Sequence, residues 1–352
     1  MQIYFILIFY WLCINLIKNQ INLDFSLPKN KKYKKMFVFF MGLGIFLVMS
    51  LRGEYVGSDL SNYKFQYYTD VLRPTELAYS YLNNYLRDLN LSFQQYLALL
   101  ALFCTLVLSI LYYKYSKNIF FSFYLYLTIG MFAMSLTGLR QTIAVMFTAL
   151  AFMLMRKNRP VLFIIFIFIA YYFHNSAIIF FPVYLVRKIK LNKKTATIVY
   201  LFSILTFIFR KNIASLSLMV VPEKYLKYSH SFEIINVNPI VIIVSLLIPL
   251  ACLFFWKNID KKDENLMSIV FFFSCVTIVL NILSLEINLL ERMSYYFSFY
   301  VMILIPNVIE SIKNNKDRFI AKTLCLIFPL LSFIISTPGS SLKIDDYKFF
   351  WQ

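Results

Sequence analysis

Between Lys117 and Arg156 the chain runs through Asn118–Met155 with a single charge, Arg140. A hydrocarbon layer about 30 Å thick is crossed by roughly 20 helical residues, so this run predicts two spans that meet near Thr137-Gly138-Leu139-Arg140-Gln141. Arg140 then sits at a tight turn on one membrane face, and Lys117 with Arg156, Lys157 and Arg159 marks the other. Gly138 suits the turn because a residue without Cβ tolerates the dihedrals that end one helix and start the next. Arg140 reads either as a snorkelling side chain at a helix end or as part of a site. At an outer turn it supports no packed core, so its removal should leave the fold intact.

With 60% hydrophobic and 15% charged residues, 38 Phe and only 7 Gly in 352 positions, the chain is polytopic in a membrane, with no soluble domain of useful size left over. The first span, 3–17, has no basic residue before it and Lys18, Lys29, Lys31, Lys32, Lys34 and Lys35 behind it. That is the reverse of a secretory signal and predicts an uncleaved helix. Cys13, Cys104, Cys252, Cys275 and Cys325 fall singly in apolar runs, which argues against disulfides and a zinc site. The net charge of +18 is dealt out loop by loop, which argues for topology and against a nucleic-acid partner.

The expected fold class is all-α, with about twelve transmembrane helices near 3–17, 36–51, 93–113, 119–136, 140–155, 160–173, 176–186, 195–209, 238–256, 265–285, 294–309 and 319–336. With the N-terminus outside, the inner loops hold 23 of the 35 lysines and arginines and the outer segments hold 11 of the 17 acidic residues. This alternation follows the positive-inside rule, and both termini then face outward. The chain reads as one membrane domain, 1–352, with outer loops at 52–92 and 210–238.

Two segments carry more than topology. Pro160–Val186 is too short for two full crossings yet has basic clusters on both sides, so a short or re-entrant pair is expected, with His174-Asn175-Ser176 in a recess below the outer surface. Across 52–92, Leu77, Ala78, Tyr81, Leu82, Tyr85, Leu86 and Leu89 recur at helical spacing, with Glu76, Asn83, Arg87 and Asp88 off that face. An amphipathic helix on the outer leaflet is expected there. The second outer loop, with Lys224, Tyr225, Lys227 and Tyr228, suits lipid headgroups or sugars.

The topology gathers Arg52, Asp59, Arg140, His174, Glu291 and Arg292 at the outer face and leaves every span centre uncharged. An ion-coupled transporter usually carries ionisable residues at the midplane, which argues against one. Three arginines at headgroup level suit a lipid diphosphate, because the guanidinium fork donates paired hydrogen bonds to phosphate oxygens. Asp59, Glu291 and His174 supply acid–base groups. The plainer reading of Glu291 and Arg292 is a helix-end ion pair.

Arg52-Gly53-Glu54-Tyr55-Val56-Gly57-Ser58-Asp59-Leu60-Ser61-Asn62-Tyr63 resembles the R…GxD…NY motif of the EpsG-like group of Wzy-type polysaccharide polymerases. Further matches follow in family order: Gly138-Leu139-Arg140-Gln141 with Ala144 resembles GxRQ…A, His174-Asn175-Ser176-Ala177 resembles HxS, and Arg292 with Tyr295 and Tyr296 resembles R…Y. Tyr347-Lys348-Phe349-Phe350-Trp351 looks like the family's aromatic tail. Ser58 where Thr is expected is a small departure.

The resemblance implies a membrane glycosyltransferase of GT-C-like architecture in the bacterial cytoplasmic membrane. It would polymerise polyprenyl-diphosphate-linked oligosaccharide repeat units on the outer face, among membrane lipid, with a flippase and chain-length regulators as partners. A hydroxyl of one unit would attack the anomeric carbon of another chain, and polyprenyl diphosphate would leave. Arg140, with Arg292 or Arg52, would bind that diphosphate. Asp59 is the first candidate to activate the acceptor, with Glu291 and His174 behind it, and Asn62, Tyr63, Gln141, Asn175, Tyr295 and Tyr296 would contact substrate. No metal or organic cofactor is implied. A lipid-linked oligosaccharide flippase and an acyltransferase modifying exported sugars are the alternatives.

Overall fold

The computed structural model describes residues 1–21, 23–25, 27–69, 76–218 and 239–352, and these are all-helical without a strand. Seven of the helices are long and apolar enough to cross a membrane, or eight if a bent pair counts as one span, among the described residues. The other expected spans correspond to shorter apolar helices. The protein is a multi-pass membrane protein. The expected second outer loop lies mostly at 219–238, outside the described residues, as do Lys224, Tyr225, Lys227 and Tyr228.

The chain divides into two compact units, Met1–Phe181 with Thr323–Gln352, and Pro182–Lys322. The first unit holds helices α1 (Gln2–Gln20), α2 (Lys31–Ser50), α3 (Leu60–Tyr68), α4 (Leu77–Asp88), α5 (Phe93–Tyr115), α6 (Ile119–Thr128), α7 (Met131–Thr137), α8 (Leu139–Arg156) and α9 (Pro160–Phe173). Local chemistry sets many of their ends. Ser92 and Gln95 form a reciprocal capping box that starts α5. Asn118 caps α6, and Pro160 opens α9 where a missing N–H costs nothing. Within the unit α2 packs on α5, α8 lies between α5 and α9, and α4 rests on α9. The α2–α5 approach is close enough that a Cβ on Gly42 would lie 2.8 Å from Ser109 Oγ. Trp11 is fully buried and donates to the Met41 carbonyl at 2.9 Å, fixing α1 to α2.

The expected span 119–136 is broken. α6 and α7 meet at 58°, with Gly130 between them at φ +90°, a conformation that residues with a Cβ rarely adopt. Hydropathy runs unbroken through this point, so periodicity carries no sign of the bend. Gly138, by contrast, has φ −95° and no neighbour nearer than 3.6 Å to an added Cβ; it ends α7 and starts α8 without needing to be glycine.

The second unit contains α10 (Lys193–Leu218), α11 (Pro239–Phe254), α12 (Glu264–Leu283), α13 (Leu289–Ser298) and α14 (Val301–Ser311). The expected span at 294–309 is divided between α13 and α14, with Phe299 and Tyr300 at the join. The turn before α10 is pinned to α12: Leu191 N–H donates to Ser268 Oγ at 2.8 Å, and Asn265 donates to the Ile189 carbonyl at 2.8 Å. The final long helix, α15 (Asn315–Ser336), carries the boundary between the units. Asn175–Val186, expected as a short span, is a 3-10 helix with Pro182 inside it.

Candidate functional site

The loop Leu51–Asp59 is built as one half of a backbone pairing. Gly53 N–H donates to the Lys348 carbonyl at 2.8 Å, Gly57 to Lys343 at 3.0 Å and Ser58 to Leu342 at 2.9 Å, while Phe350 N–H returns to Leu51 at 3.0 Å. Tyr347 Oη donates to the Val48 carbonyl at 2.8 Å, and Tyr4 Oη to Ile344 at 2.8 Å. Arg52 lies beneath this segment and is 1% exposed. Burial lowers its guanidinium to about 10, against the opposing pull of Tyr347, Cys104, Tyr4 and Tyr96, so it stays charged at neutral pH. Gly57 has φ +108°, and an added Cβ would lie 2.6 Å from the Leu136 carbonyl oxygen, so the loop is seated directly on the end of α7.

From that seat the loop runs into α3. Asp59 is the exposed residue before its first turn, 3.4 Å from Ser58 Oγ, and Asn62 is exposed and accepts from Gln66 at 2.9 Å. One turn further, Tyr63 is buried and meets Arg140: Arg140 Nε donates to Tyr63 Oη at 3.3 Å, and the guanidinium lies 5.5 Å from the Tyr63 ring and 5.9 Å from the Tyr79 ring. Arg140 stands in the first turn of α8, where the helix dipole is positive and a cation is disfavoured. Its compensation is Glu76, just before α4, whose carboxylate pairs with Arg140 Nη1 through Oε2. The other oxygen, Oε1, is 2.9 Å from His174 Nδ1 at the end of α9.

Glu76, Arg140 and His174 therefore form one cluster, with side chains 8%, 18% and 18% exposed: shielded enough to strengthen the charge pairing, open enough to be reached. Gln141, buried in α8, and Asn175, half-buried beside His174, flank it in sequence. Because Arg140 neutralises a buried carboxylate, the expectation that it is dispensable to packing does not hold. Glu76 and Tyr79 are the members that sequence reasoning missed. The signal was present: Glu76 fell off the apolar stripe of the 77–89 helix, and an arginine alone in a long apolar run needs a counter-ion. Among the described residues no group of His, Cys, Asp and Glu is arranged to hold a metal ion.

The remaining candidates belong to the second unit. Glu291, Arg292, Tyr295 and Tyr296 all lie on α13, with Arg292 exposed and Tyr296 fully buried. Burial raises the Glu291 carboxyl above the usual carboxylate range, against the opposing pull of Arg292. That unit also carries the ion pair between Arg210 Nε and Glu286 Oε1 at 3.0 Å.

No curated protein and no solved structure matches the chain at a significant level. The model of the EpsG family matches residues 35–350, from the second helix to the segment that pairs with the Arg52 loop. On a match spanning nearly the whole sequence, the chain belongs to the EpsG family, the family of Wzy-like polysaccharide polymerases.

Proposed function

We propose that this chain polymerises polyprenyl-diphosphate-linked oligosaccharide units into an exopolysaccharide on the outer face of the cytoplasmic membrane, with Arg140 binding the departing diphosphate. The observation that carries this reading is the oriented guanidinium of Arg140. Tyr63 and Glu76 engage two of its nitrogens, the rings of Tyr63 and Tyr79 lie close to it, and it stands at the positive end of α8. A fixed arginine at a helix N-terminus favours an anion that gains charge as its bond to sugar breaks. The exposed Asn62 and Asp59 offer amide and carboxylate groups to sugar hydroxyls, while Tyr63, buried beside them, holds the Arg140 guanidinium. Arg52 and the α13 residues Arg292, Tyr295 and Tyr296 keep their assignment to substrate on the family resemblance alone.

The test is a deletion strain complemented with Arg140→Lys, which keeps the charge that Glu76 requires but loses the planar fork. At normal protein abundance, long chains should give way to short products, with lipid-linked units accumulating on the outer side. Removing one preorganised donor typically lowers such a rate by about 10²–10³. Full-length polymer lacking a substituent would instead indicate an acyltransferase, and units trapped on the inner side a flippase.

A further inference from the structure

His174 has a fixed neighbour on its Nδ1, and that neighbour is a carboxylate. The pairing of Glu76 Oε1 with His174 Nδ1 at 2.9 Å selects the tautomer of the neutral ring: a carboxylate accepts only, so in the neutral imidazole Nδ1 carries the proton and Nε2 the lone pair. The carboxylate is itself held, because its second oxygen pairs with Arg140. Glu76 is 6% exposed and lies where residues of α4, α8 and α9 converge, and among the described residues its two oxygens meet Arg140 and His174. Among the described residues, the charged and titratable groups that the packed elements bring to this pair include Arg140 from α8, Tyr63 from α3 and Tyr79 from α4, with Tyr96 of α5 behind Tyr79.

We propose that Glu76 is the positioning residue of a proton relay in which His174 Nε2 takes the proton from the acceptor hydroxyl. This rests on the polymerase reading. In the step, the hydroxyl oxygen forms a bond to the anomeric carbon as its proton passes to Nε2. The bond from that carbon to the diphosphate oxygen breaks, and its electron pair leaves with the diphosphate beside Arg140. The imidazolium, stabilised by Glu76, then returns its proton to water, and the imidazole is restored. One carboxylate thus couples the two ends of the reaction, the base through Oε1 and the leaving-group arginine through Oε2. Asp59, exposed before α3, is then left to contact the sugar.

The first test is independent of turnover. The chain has only two histidines, so ¹⁵N-histidine NMR of the protein in nanodiscs, with His230→Gln to assign the second signal, reads the His174 tautomer directly. The Nδ1–H form is expected for the unsubstituted chain. In Glu76→Gln the amide can donate to Nδ1, and the Nε2–H form should appear; Glu76→Asp should retain the Nδ1–H form.

The second test measures elongation in proteoliposomes, using the lipid-linked units extracted from the deletion strain as substrate. Glu76→Gln should lower kcat by about 10²–10⁴ with KM changed only a few-fold, and the acid limb of its pH profile should move to lower pH. His174→Gln should abolish that limb, and the double variant should be no slower than the slower single one. An Nε2–H tautomer in the unsubstituted chain, or a Glu76→Gln enzyme that keeps the original acid limb, would overturn the relay. Failure of the unsubstituted chain to lengthen the extracted units would remove the polymerase reading itself, a result distinct from either.

Discussion

Two glycines stand in the family-like motifs of the first unit, and the structure assigns them opposite sensitivities to alanine. At Gly57 the backbone has φ +108°, and the added Cβ would lie 2.6 Å from the Leu136 carbonyl oxygen and 3.2 Å from its carbon. Both atoms are backbone, so neither can rotate aside. Reaching an ordinary contact of 3.4 Å requires the loop to move by the difference, about 0.8 Å, away from α7. Dihedral strain of this kind costs about 1–3 kcal/mol. Movement also stretches the Gly57 and Ser58 bonds to Lys343 and Leu342, each contributing about 0.5–1.5 kcal/mol. A local penalty of about 3 kcal/mol raises the open population of the loop on the order of 10²-fold. Gly138→Ala, two residues from Arg140, should cost within about 1 kcal/mol, because its φ of −95° suits any residue and its surroundings have room. Hydrogen exchange of the protein in nanodiscs reads both variants at the Gly57–Asp59 amides, and polymer length in the complemented deletion strain reads their effect on function. Gly57→Ala should exchange about 10²-fold faster there and make short products, and Gly138→Ala should match the unsubstituted chain. Equal behaviour of the two variants would refute the close approach of the loop to α7.

Arg140→Ala should destabilise α4 by about 3 kcal/mol, the low end for breaking a buried ion pair, because it strands the Glu76 carboxylate. Adding Glu76→Gln should recover most of that loss; equal exchange rates across Leu77–Asp88 in the single and double variants would exclude the pairing. In a cysteine-free background, Ser58→Cys and Asn288→Cys should react with an impermeant thiol reagent from outside, and Asn192→Cys and Asn314→Cys should not. Outside labelling of Asn192→Cys would invert the topology derived from the lysine and arginine distribution.

Much of the architecture was legible because a bilayer imposes a simple rule on sequence. Uncharged runs marked the helices, and basic clusters marked their turns. Arg140 and His174 stood out for the same reason, as polar interruptions in long apolar surroundings. Glu76 did not, because its helix was read by the apolar stripe. In water, residues off that stripe face solvent. Here Leu77, Tyr81, Tyr85 and Leu89 are exposed along with Asp88, while Tyr79, Ser80, Asn83 and Leu86 turn inward, so polar residues of α4 face the protein and Glu76 lies with them. The break at Gly130 was hidden because a dihedral leaves no trace in hydropathy. The burial of Arg52 was hidden because its cover comes from residues almost three hundred positions away.

That separation has a consequence for biogenesis. The ribosome releases Arg52 and Gly57 early, but Leu342–Phe350, which pairs with their loop, follows every described helix in the chain and is translated after all of them. Until then the Arg52 guanidinium lacks its cover and the loop lacks its pairing partners, so the seat of Asp59 and Tyr63 cannot close. Chains that have not yet reached Leu342–Phe350 would insert yet stay without an ordered reaction centre, which ties the onset of activity to the arrival of that segment.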